Sequence, residues 1–448
     1  MLNKKFSFYI ETMGCQMNEY ESDQAAISLM LNGFKRVEQP QDAGVILVNT
    51  CTVRDKPDQK AYSLMGRLNA FKKKDKNLVI VFMGCLAQSE GDALLKRFPN
   101  MDIVVGTKHK SDIPMLIKNF HEKHERIAVT SMNDIAIGNN FIKESGCVPG
   151  YFNRKVSAFL SVMEGCNNFC TYCIVPYVRG REISRPVESI INEAENLIKD
   201  GVREIILLGQ NVNSYCSMEG LDHVRFPYLL NRLNNLPDLY RIRFTTSHPK
   251  DLSLDLINCF ANLKHLCPHI HLPFQSGANR ILKLMGRSYT RDHYLNLIDK
   301  IRSVRPDIAI TADVMVGFPG ETYEEYLQTI ELIENIAFDN LFSFKYSDRE
   351  GTVASKMMDK VSENEKNIRL SELQKIQQQI TLKKNNQFIG KTIEVLVDGS
   401  GKRESQFAGR SDTNRIVNFT SNEKPESGSF VNVLIQKGNL NSLRGVSV

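Results

Sequence analysis

The chain has 448 residues, of which 42% are hydrophobic and 24% charged, and its 57 Lys and Arg against 51 Asp and Glu leave a formal net charge of +6. That is the usage of a folded protein of two to four domains, with three the working number, and it excludes a disordered or fibrous chain. No apolar run is long enough to cross a bilayer, and the opening MLNKKFSFYIETMGC lacks the apolar core and cleavage site of a secretory signal, so the expected setting is cytoplasmic with no membrane partner.

FSFYI (6–10), VILVN (45–49) and LVIVF (78–82) are short continuous apolar runs of the kind that form buried parallel strands. Helical spacing lies between them, over Glu21 to Asn32 and over about Gln59 to Lys73, so residues 1–148 are expected to form an open parallel α/β domain. After Gly146, Pro149 and Gly150 a second alternation begins, with strands near 156–163, 204–209, 241–246, 308–315 and 340–345. This central domain, 149–382, suits either a doubly wound sheet or a complete or partial barrel, which periodicity does not separate. A polar helix over about 363–387 leads to IEVLV, SQFAG, RIVNF and SFVNVLI, short strands between turn residues that read as a small all-β barrel over 383–448. Phe388, Phe407, Phe419 and Phe430 lie in or beside these strands and are expected in the barrel core. From Lys383 onward ten Lys and Arg face six Asp and Glu, a local net +4 that suits a polyanion-facing module as well as a plain solvated surface.

Ten cysteines in a chain of this kind point to metal ligation or catalysis rather than to disulfides. Cys166, Cys170 and Cys173 form C-x3-C-x2-C in EGCNNFCTYCIVPYVRGRE. Three thiolates can hold three irons of a [4Fe–4S] cube and leave the fourth open to an outside ligand, whereas zinc would want a fourth protein ligand, and none follows at the usual spacing. Cys15, Cys51 and Cys85 each follow one of the three N-terminal strands, in MGCQMN, NTCTV and MGCLAQ. Ligands of open parallel sheets bind outside the carboxyl ends of the strands, so these turns can converge on one crevice and hold a second cluster, with three buried free cysteines as the competing reading. Cys147, Cys216, Cys259 and Cys267 show no such placement and read as small buried hydrophobes.

With both constellations present, the sequence resembles the methylthiotransferase family of radical S-adenosylmethionine (SAM) enzymes, over nearly its whole length. That family joins an N-terminal cluster domain, a radical SAM domain and a C-terminal TRAM barrel, so the resemblance makes the central domain a partial (β/α)6 barrel. ETMGCQMNEYES, GCNNFCTYCIVPYVRGRE, LLGQNVNSY, TTSHP, HLPFQSG, DVMVGFPGE and FKYSDREGT look like the group that acts on prenylated adenosine 37 of tRNA. Sister groups are similar but act on a threonylcarbamoyl-modified adenosine or on a ribosomal protein. A non-enzymatic iron–sulfur RNA-binding redox sensor is the rival of another class.

The resemblance implies two [4Fe–4S] clusters and two SAM molecules spent per product. One cluster, at Cys166, Cys170 and Cys173, would reduce SAM to a 5′-deoxyadenosyl radical that takes hydrogen from adenine C2, a bond no side-chain acid or base can break. The other, at Cys15, Cys51 and Cys85, would carry the sulfur that becomes the methylthio group. Tyr172 would pack on the SAM adenine. Candidates for SAM contact are Gly209, Gln210, Asn211, Ser247, His248, Gln275 and Ser276, with Gly317, Pro319 and Gly320 forming a tight turn beside them. Arg179, Arg181 and Arg185 are either anion ligands or members of internal ion pairs. Lys383, Lys384, Lys391, Lys402, Arg403, Arg410 and Arg415 are the candidates for the anticodon stem-loop phosphates. A low-potential electron donor and a sulfur-carrier or iron–sulfur assembly protein are the implied partners of a monomer.

Overall fold

Runs of Val, Ile and Leu without polar alternation form strands buried on both faces, and they set the first sheet. The computed structural model describes residues 4–52, 55–132, 147–153, 155–401 and 405–448, with the backbone alone over 55–61. Residues 1–151, 159–167 and 173–193 make one unit, and 152–158, 168–172 and 194–448 make the other. In the first unit β1 (Ser7–Met13), β2 (Lys35–Arg36), β3 (Val45–Thr50), β4 (Val79–Gly84), β5 (Ile103–Val105) and β6 (Ile127–Val129) form one sheet, ordered β2-β1-β3-β4-β5-β6 and parallel throughout. One apolar layer, with Phe8, Leu47, Val81 and Ile117, covers one face, and another, with Ile46, Met65, Phe82 and Leu94, covers the other. The first helix begins at Gln16, five residues ahead of the apolar periodicity, because the Asn18 amide oxygen accepts the Cys15 backbone N–H (3.1 Å) and caps the earlier turn.

Further along the chain lie β7 (Ser157–Ser161), the short antiparallel pair β8 (Met163–Glu164) and β9 (Ile183–Ser184), and β10 (Glu204–Leu208). The hairpin of β11 (Cys216–Glu219) and β12 (Asp222–Arg225) follows, then β13 (Arg241–Phe244), β14 (His269–His271), β15 (Ala309–Val316) and β16 (Asn340–Lys345). The sheets are ordered β13-β10-β7 and β14-β15-β16, and a parallel bridge between Ile242 and Leu266 continues one into the other. With the β8–β9 pair and the hairpin set aside, each strand neighbours its predecessor in the chain. That is the order of a barrel; a doubly wound sheet reverses direction partway. Six strands thus form the partial barrel, including β14, which apolar pattern missed because it is three residues long and two of them are histidine.

The C-terminal strands are β17 (Thr392–Ser400), β18 (Gln406–Ser411), β19 (Ile416–Thr420), β20 (Phe430–Gly438) and β21 (Leu443–Ser447), closed in the order β17-β18-β19-β21-β20. β21, unforeseen in the sequence, closes the barrel by pairing parallel to β19 and antiparallel to β20. Phe407 and Phe419 fill the barrel with Val395, Val417, Val433 and Leu443, and Phe388 packs at its edge. Phe430 departs from expectation: its ring meets Tyr240 edge-on at 5.5 Å, under the Arg241 guanidinium at 5.1 Å, outside the barrel core.

Arginines on β13 tie the barrel to the strands beside it. Arg243 donates to Glu204 (2.8 Å) and to the backbone carbonyls of Ser411 (2.7 Å) and Asp412 (2.6 Å), while Arg241 donates to the carbonyl of Arg410 (2.6 Å). Arg243 and Glu204 are both buried, so removing one partner strands the other charge. Arg243→Met is therefore expected to lower unfolding free energy by about 3–5 kcal/mol in urea titration, with Glu204→Gln on the same background restoring part of the loss.

Candidate cluster and cofactor sites

Strand register decides the geometry of the N-terminal thiols. Thr50 is the register partner of both Met13 and Gly84, so β1, β3 and β4 end level with one another. Cys15, Cys51 and Cys85 stand within two residues of those ends, the first exposed and the other two buried. The turns come close because glycine makes room. A Cβ on Gly14 would fall 2.8 Å from the Cβ of Cys51, and one on Gly84, whose φ is +98°, would fall 2.5 Å from the Thr50 carbonyl oxygen. Asn18 and Asn49 brace the ends of β1 and β3, with the Asn18 amide donating to the Asn49 side chain (2.9 Å) and the Asn49 amide to the Asn18 carbonyl (2.9 Å).

The electrostatics of the three thiols differ. The Cys51 thiol donates to Cys15 and, with the Arg179 charge nearby, brings the Cys15 thiol down to about 6, whereas burial pushes Cys85 up to about 11 against the pull of Arg179. Arg179 is itself clamped by both carboxylate oxygens of buried Glu21, at 2.7 and 3.2 Å. Arg185 likewise pairs internally, with Glu193 at 2.7 Å. Among the described residues no three His, Cys, Asp or Glu side chains are gathered to hold a metal ion directly. A cube spreads its ligands over three irons, farther apart than the ligands of one ion, so the donor set and the glycine-lined approach fit a cluster.

Cys166, Cys170 and Cys173 follow β8 on one loop, where the chain itself keeps them together. The Cys166 N–H donates to the Gly180 carbonyl (3.2 Å), and Thr171 is pinned by its N–H to Met285 (3.0 Å) and by its hydroxyl to Leu284 (2.8 Å). Tyr172 stands edge-on to Phe318 at 6.5 Å. Arg287, which no motif in the sequence singled out, donates to the Cys170 sulfur at 3.5 Å.

The SAM candidates fall at the carboxyl ends of four consecutive strands of the partial barrel. Gly209, Gln210 and Asn211 follow β10, Ser247 and His248 follow β13, Gln275 and Ser276 follow β14, and Gly317, Pro319 and Gly320 follow β15. The Ser247 hydroxyl and the Asn211 amide oxygen are buried with no hydrogen-bond partner, although the Asn211 amide nitrogen donates to Asp251 at 2.7 Å. Unmet polar atoms at strand ends are what a polar ligand satisfies. Burial and the charge of Arg287 bring His248 down to about 2, so its ring is neutral there and accepts the Lys250 N–H at 3.2 Å. The Ser276 hydroxyl accepts from Ala278 (3.2 Å), and Gln275 holds φ +67° through ladder bonds to Asp313 and from Met315. Gly317 (φ +70°) leaves no room for a Cβ, which would meet the Lys366 stem at 2.4 Å, and Gly320 (φ +79°) donates to the Asp359 carbonyl at 2.6 Å.

Beside them stands a group that the sequence did not single out. His271 contacts Thr311 (3.0 Å) and lies 3.5 Å from Asp313 and edge-on to Phe342, which is 47% exposed. Asp313 lies in DVMVGFPGE, read only for the turn of Gly317, Pro319 and Gly320. Of the RNA candidates, Lys383 and Lys391 are exposed, and Arg410 is half-buried with one donor on Asn414 at 3.3 Å. Lys384 and Arg415 both turn onto Asp339, and Lys402 and Arg403 lie outside the described residues. Cys259 and Cys267 are buried as expected, but Cys147 and Cys216 are exposed, since the linker and the hairpin that carry them offer no core to enter.

Residues 160–333 match the Radical SAM superfamily, 7–106 the uncharacterized protein family UPF0004, and 386–448 the TRAM domain. The chain is 48% identical over 445 residues to a tRNA-2-methylthio-N(6)-dimethylallyladenosine synthase of Syntrophus aciditrophicus, covering 99% of this chain and 95% of that one. Its likeness to proteins of the same name is 48% in Syntrophobacter fumaroxidans (98% and 94% covered) and 42% in Clostridium botulinum (100% and 98% covered). Among solved structures, the radical SAM methyltransferase TsrM of Kitasatospora setae, with cobalamin and a [4Fe–4S] cluster bound, aligns with a TM-score of 0.57 at 14% identity, over 78% of this chain and 74% of that one. The cobalamin-dependent radical enzyme OxsB aligns at 0.53 and 11%, over 83% and 56%. At those identities the two likenesses establish fold alone.

Fold and loop together define a radical SAM enzyme, extended by a parallel-sheet domain before it and a TRAM barrel after it. Within that class the chain belongs to the tRNA-2-methylthio-N(6)-dimethylallyladenosine synthase family.

Gly84→Ala tests the glycine-lined approach. A side chain at that φ, so close to Thr50, is expected to cost about 1–3 kcal/mol or more in urea titration and to lower the iron retained after reconstitution.

Proposed function

We propose that this enzyme transfers a methylthio group to C2 of N6-dimethylallyladenosine 37 in tRNA, spending two SAM per product, with a cluster domain over 1–148, a radical SAM domain over 149–382 and an RNA-binding barrel over 383–448. The reading rests above all on the level strand ends that bring three thiol turns together in an enzyme whose radical SAM loop already carries three more.

Cys166, Cys170 and Cys173 would hold one [4Fe–4S] cluster and Cys15, Cys51 and Cys85 a second. When bound, the first supplies the electron that cleaves SAM and the second carries the sulfur to be transferred. The protein's own part is positioning. Tyr172, backed by Phe318, offers a ring to the SAM adenine, and the unmet Ser247 hydroxyl and Asn211 oxygen offer polar contacts without reorganisation. The neutral His248 adds no charge beside the SAM sulfonium. The turn between Gly317 and Gly320 keeps both glycines at positive φ, and at Gly317 a side chain would collide with the Lys366 stem.

An anticodon loop presents unstacked bases, so adenosine 37 is reached without opening a duplex, and phosphate contacts supply affinity. Lys383, Lys391 and Arg410 are the cations best placed for that, since Lys384 and Arg415 share Asp339. A low-potential donor and a source of replacement sulfur complete the cycle in a cytoplasmic setting.

The test is anaerobic reconstitution with SAM, dithionite and prenylated tRNA, followed by mass spectrometry of the digested nucleosides. Wild type is expected to yield the 2-methylthio nucleoside, and Cys51→Ala to cleave SAM without yielding it. Wild-type SAM cleavage with unchanged tRNA would retire the substrate assignment in favour of threonylcarbamoyl-tRNA or a ribosomal protein. In binding assays, Lys383→Ala with Lys391→Ala should reduce the slope of log affinity against log salt by about 0.7–0.9 for each lysine–phosphate ion pair removed.

A further inference from the structure

Among the described residues five buried arginines face a carboxylate: Arg179 with Glu21, Arg185 with Glu193, Arg241 with Glu394, Arg243 with Glu204 and Arg369 with Glu321. Arg287 is different. It is half-buried, its backbone N–H is fixed to the Leu282 carbonyl at 2.8 Å, and its side-chain donors go to the Tyr289 hydroxyl (3.1 Å), the Pro273 carbonyl (3.1 Å) and the Cys170 sulfur (3.5 Å). The guanidinium also lies 5.2 Å from the centre of the Tyr289 ring, which holds the planar group in place. Among the described residues no carboxylate pairs with it, and the group touching it that is best able to carry negative charge is the Cys170 thiol. The nearby His248 ring is neutral and contributes no charge of its own.

We propose that Arg287 is a positioning residue that sets the reduction potential of the radical cluster, by holding an unshared positive charge and an N–H donor against the Cys170 thiolate. The inference rests on the assignment of Cys166, Cys170 and Cys173 as ligands of a [4Fe–4S] cluster. Reduction adds one electron, supplied in the test by dithionite, and so one negative charge spread over irons and sulfurs. A cation and an N–H···S bond on one of those sulfurs stabilise the reduced form more than the oxidised form, and the potential rises. The N-terminal thiols meet a different environment, since the charge of Arg179 is already shared with Glu21.

The experiment uses the full chain carrying Cys15→Ala, Cys51→Ala and Cys85→Ala, so that only the radical cluster is loaded. Arg287→Gln, which keeps amide donors and loses the charge, and Arg287→Lys, which keeps the charge and loses the planar fork, are compared on this background. Iron content, circular dichroism and an electron-paramagnetic-resonance titration against potential are recorded. With Arg287→Gln the reduced-to-oxidised ratio at a fixed potential is expected to fall about tenfold, which for a one-electron couple is a midpoint about 59 mV more negative, with Arg287→Lys in between. A purely structural residue would shift the melting temperature and leave the midpoint in place. Full iron and an unchanged midpoint in Arg287→Gln overturn the proposal. If Arg287→Gln folds but holds no iron while Arg287→Lys holds it, the midpoint of Arg287→Lys decides: a shift to more negative potential upholds the proposal and an unchanged midpoint overturns it; if neither holds iron, it falls. Absence of iron from the background protein itself would instead strike the ligand assignment, a failure visible before any Arg287 variant is made.

Discussion

Parallel pairing in register is the constraint on which the rest of the N-terminal unit depends. Because Met13, Thr50 and Gly84 lie level across three adjacent strands, the turns that follow them open at the same height, and three cysteines separated by more than thirty residues at each step come to stand at one end of the sheet. A slip of one residue in a parallel pair would turn every side chain of that strand to the opposite face, and the apolar layers on both faces forbid it. The energy that gathers the thiols is thus hydrophobic and lies in Val, Ile and Leu well away from them. Glycines at positions 14 and 84 then permit an approach that any side chain would block.

Elsewhere the same division of labour recurs with charge in place of apolar surface. Arg241 and Arg243 reach from β13 to backbone carbonyls at 410, 411 and 412, and Asp339 collects both Lys384 and Arg415, so the small barrel is held by directed polar contacts as well as by packing. Basic residues spent in this way are withdrawn from any outside anion. A net charge counted along the sequence therefore overstates what the barrel region can offer to phosphate, although Lys383 and Lys391 are among the described cations that stay exposed.

Much of the fold was legible because its strands are long enough to carry a pattern. The three N-terminal apolar runs and the polar helix before the barrel stand where the pattern placed them. The failures share one cause. β14 has three residues, two of them histidine, β21 is LRGVS with a single large apolar residue, and Phe430 leaves its barrel for Tyr240. In each case a partner distant in sequence decides the outcome, and local propensity has nothing to report. Cys147 and Cys216 misled for the opposite reason: cysteine is usually buried, but a hairpin or a linker has no core to bury it in.

The amino-acid sequence by itself determined the chemistry on offer: two sets of three cysteines, one set by spacing along the chain and the other by its place after three strands, together with the α/β class and the family. Tertiary structure alone decided how charge is distributed around those thiols. Arg179 and Arg185 are satisfied by carboxylates more than a hundred positions earlier and eight positions later, respectively, whereas Arg287 finds no carboxylate among the described residues and turns to the sulfur of Cys170. A residue's type states which charge it can carry. Its neighbours in space, brought there by strand register and packing, decide whether that charge is already balanced when a ligand arrives, and that balance is an energy no linear pattern encodes.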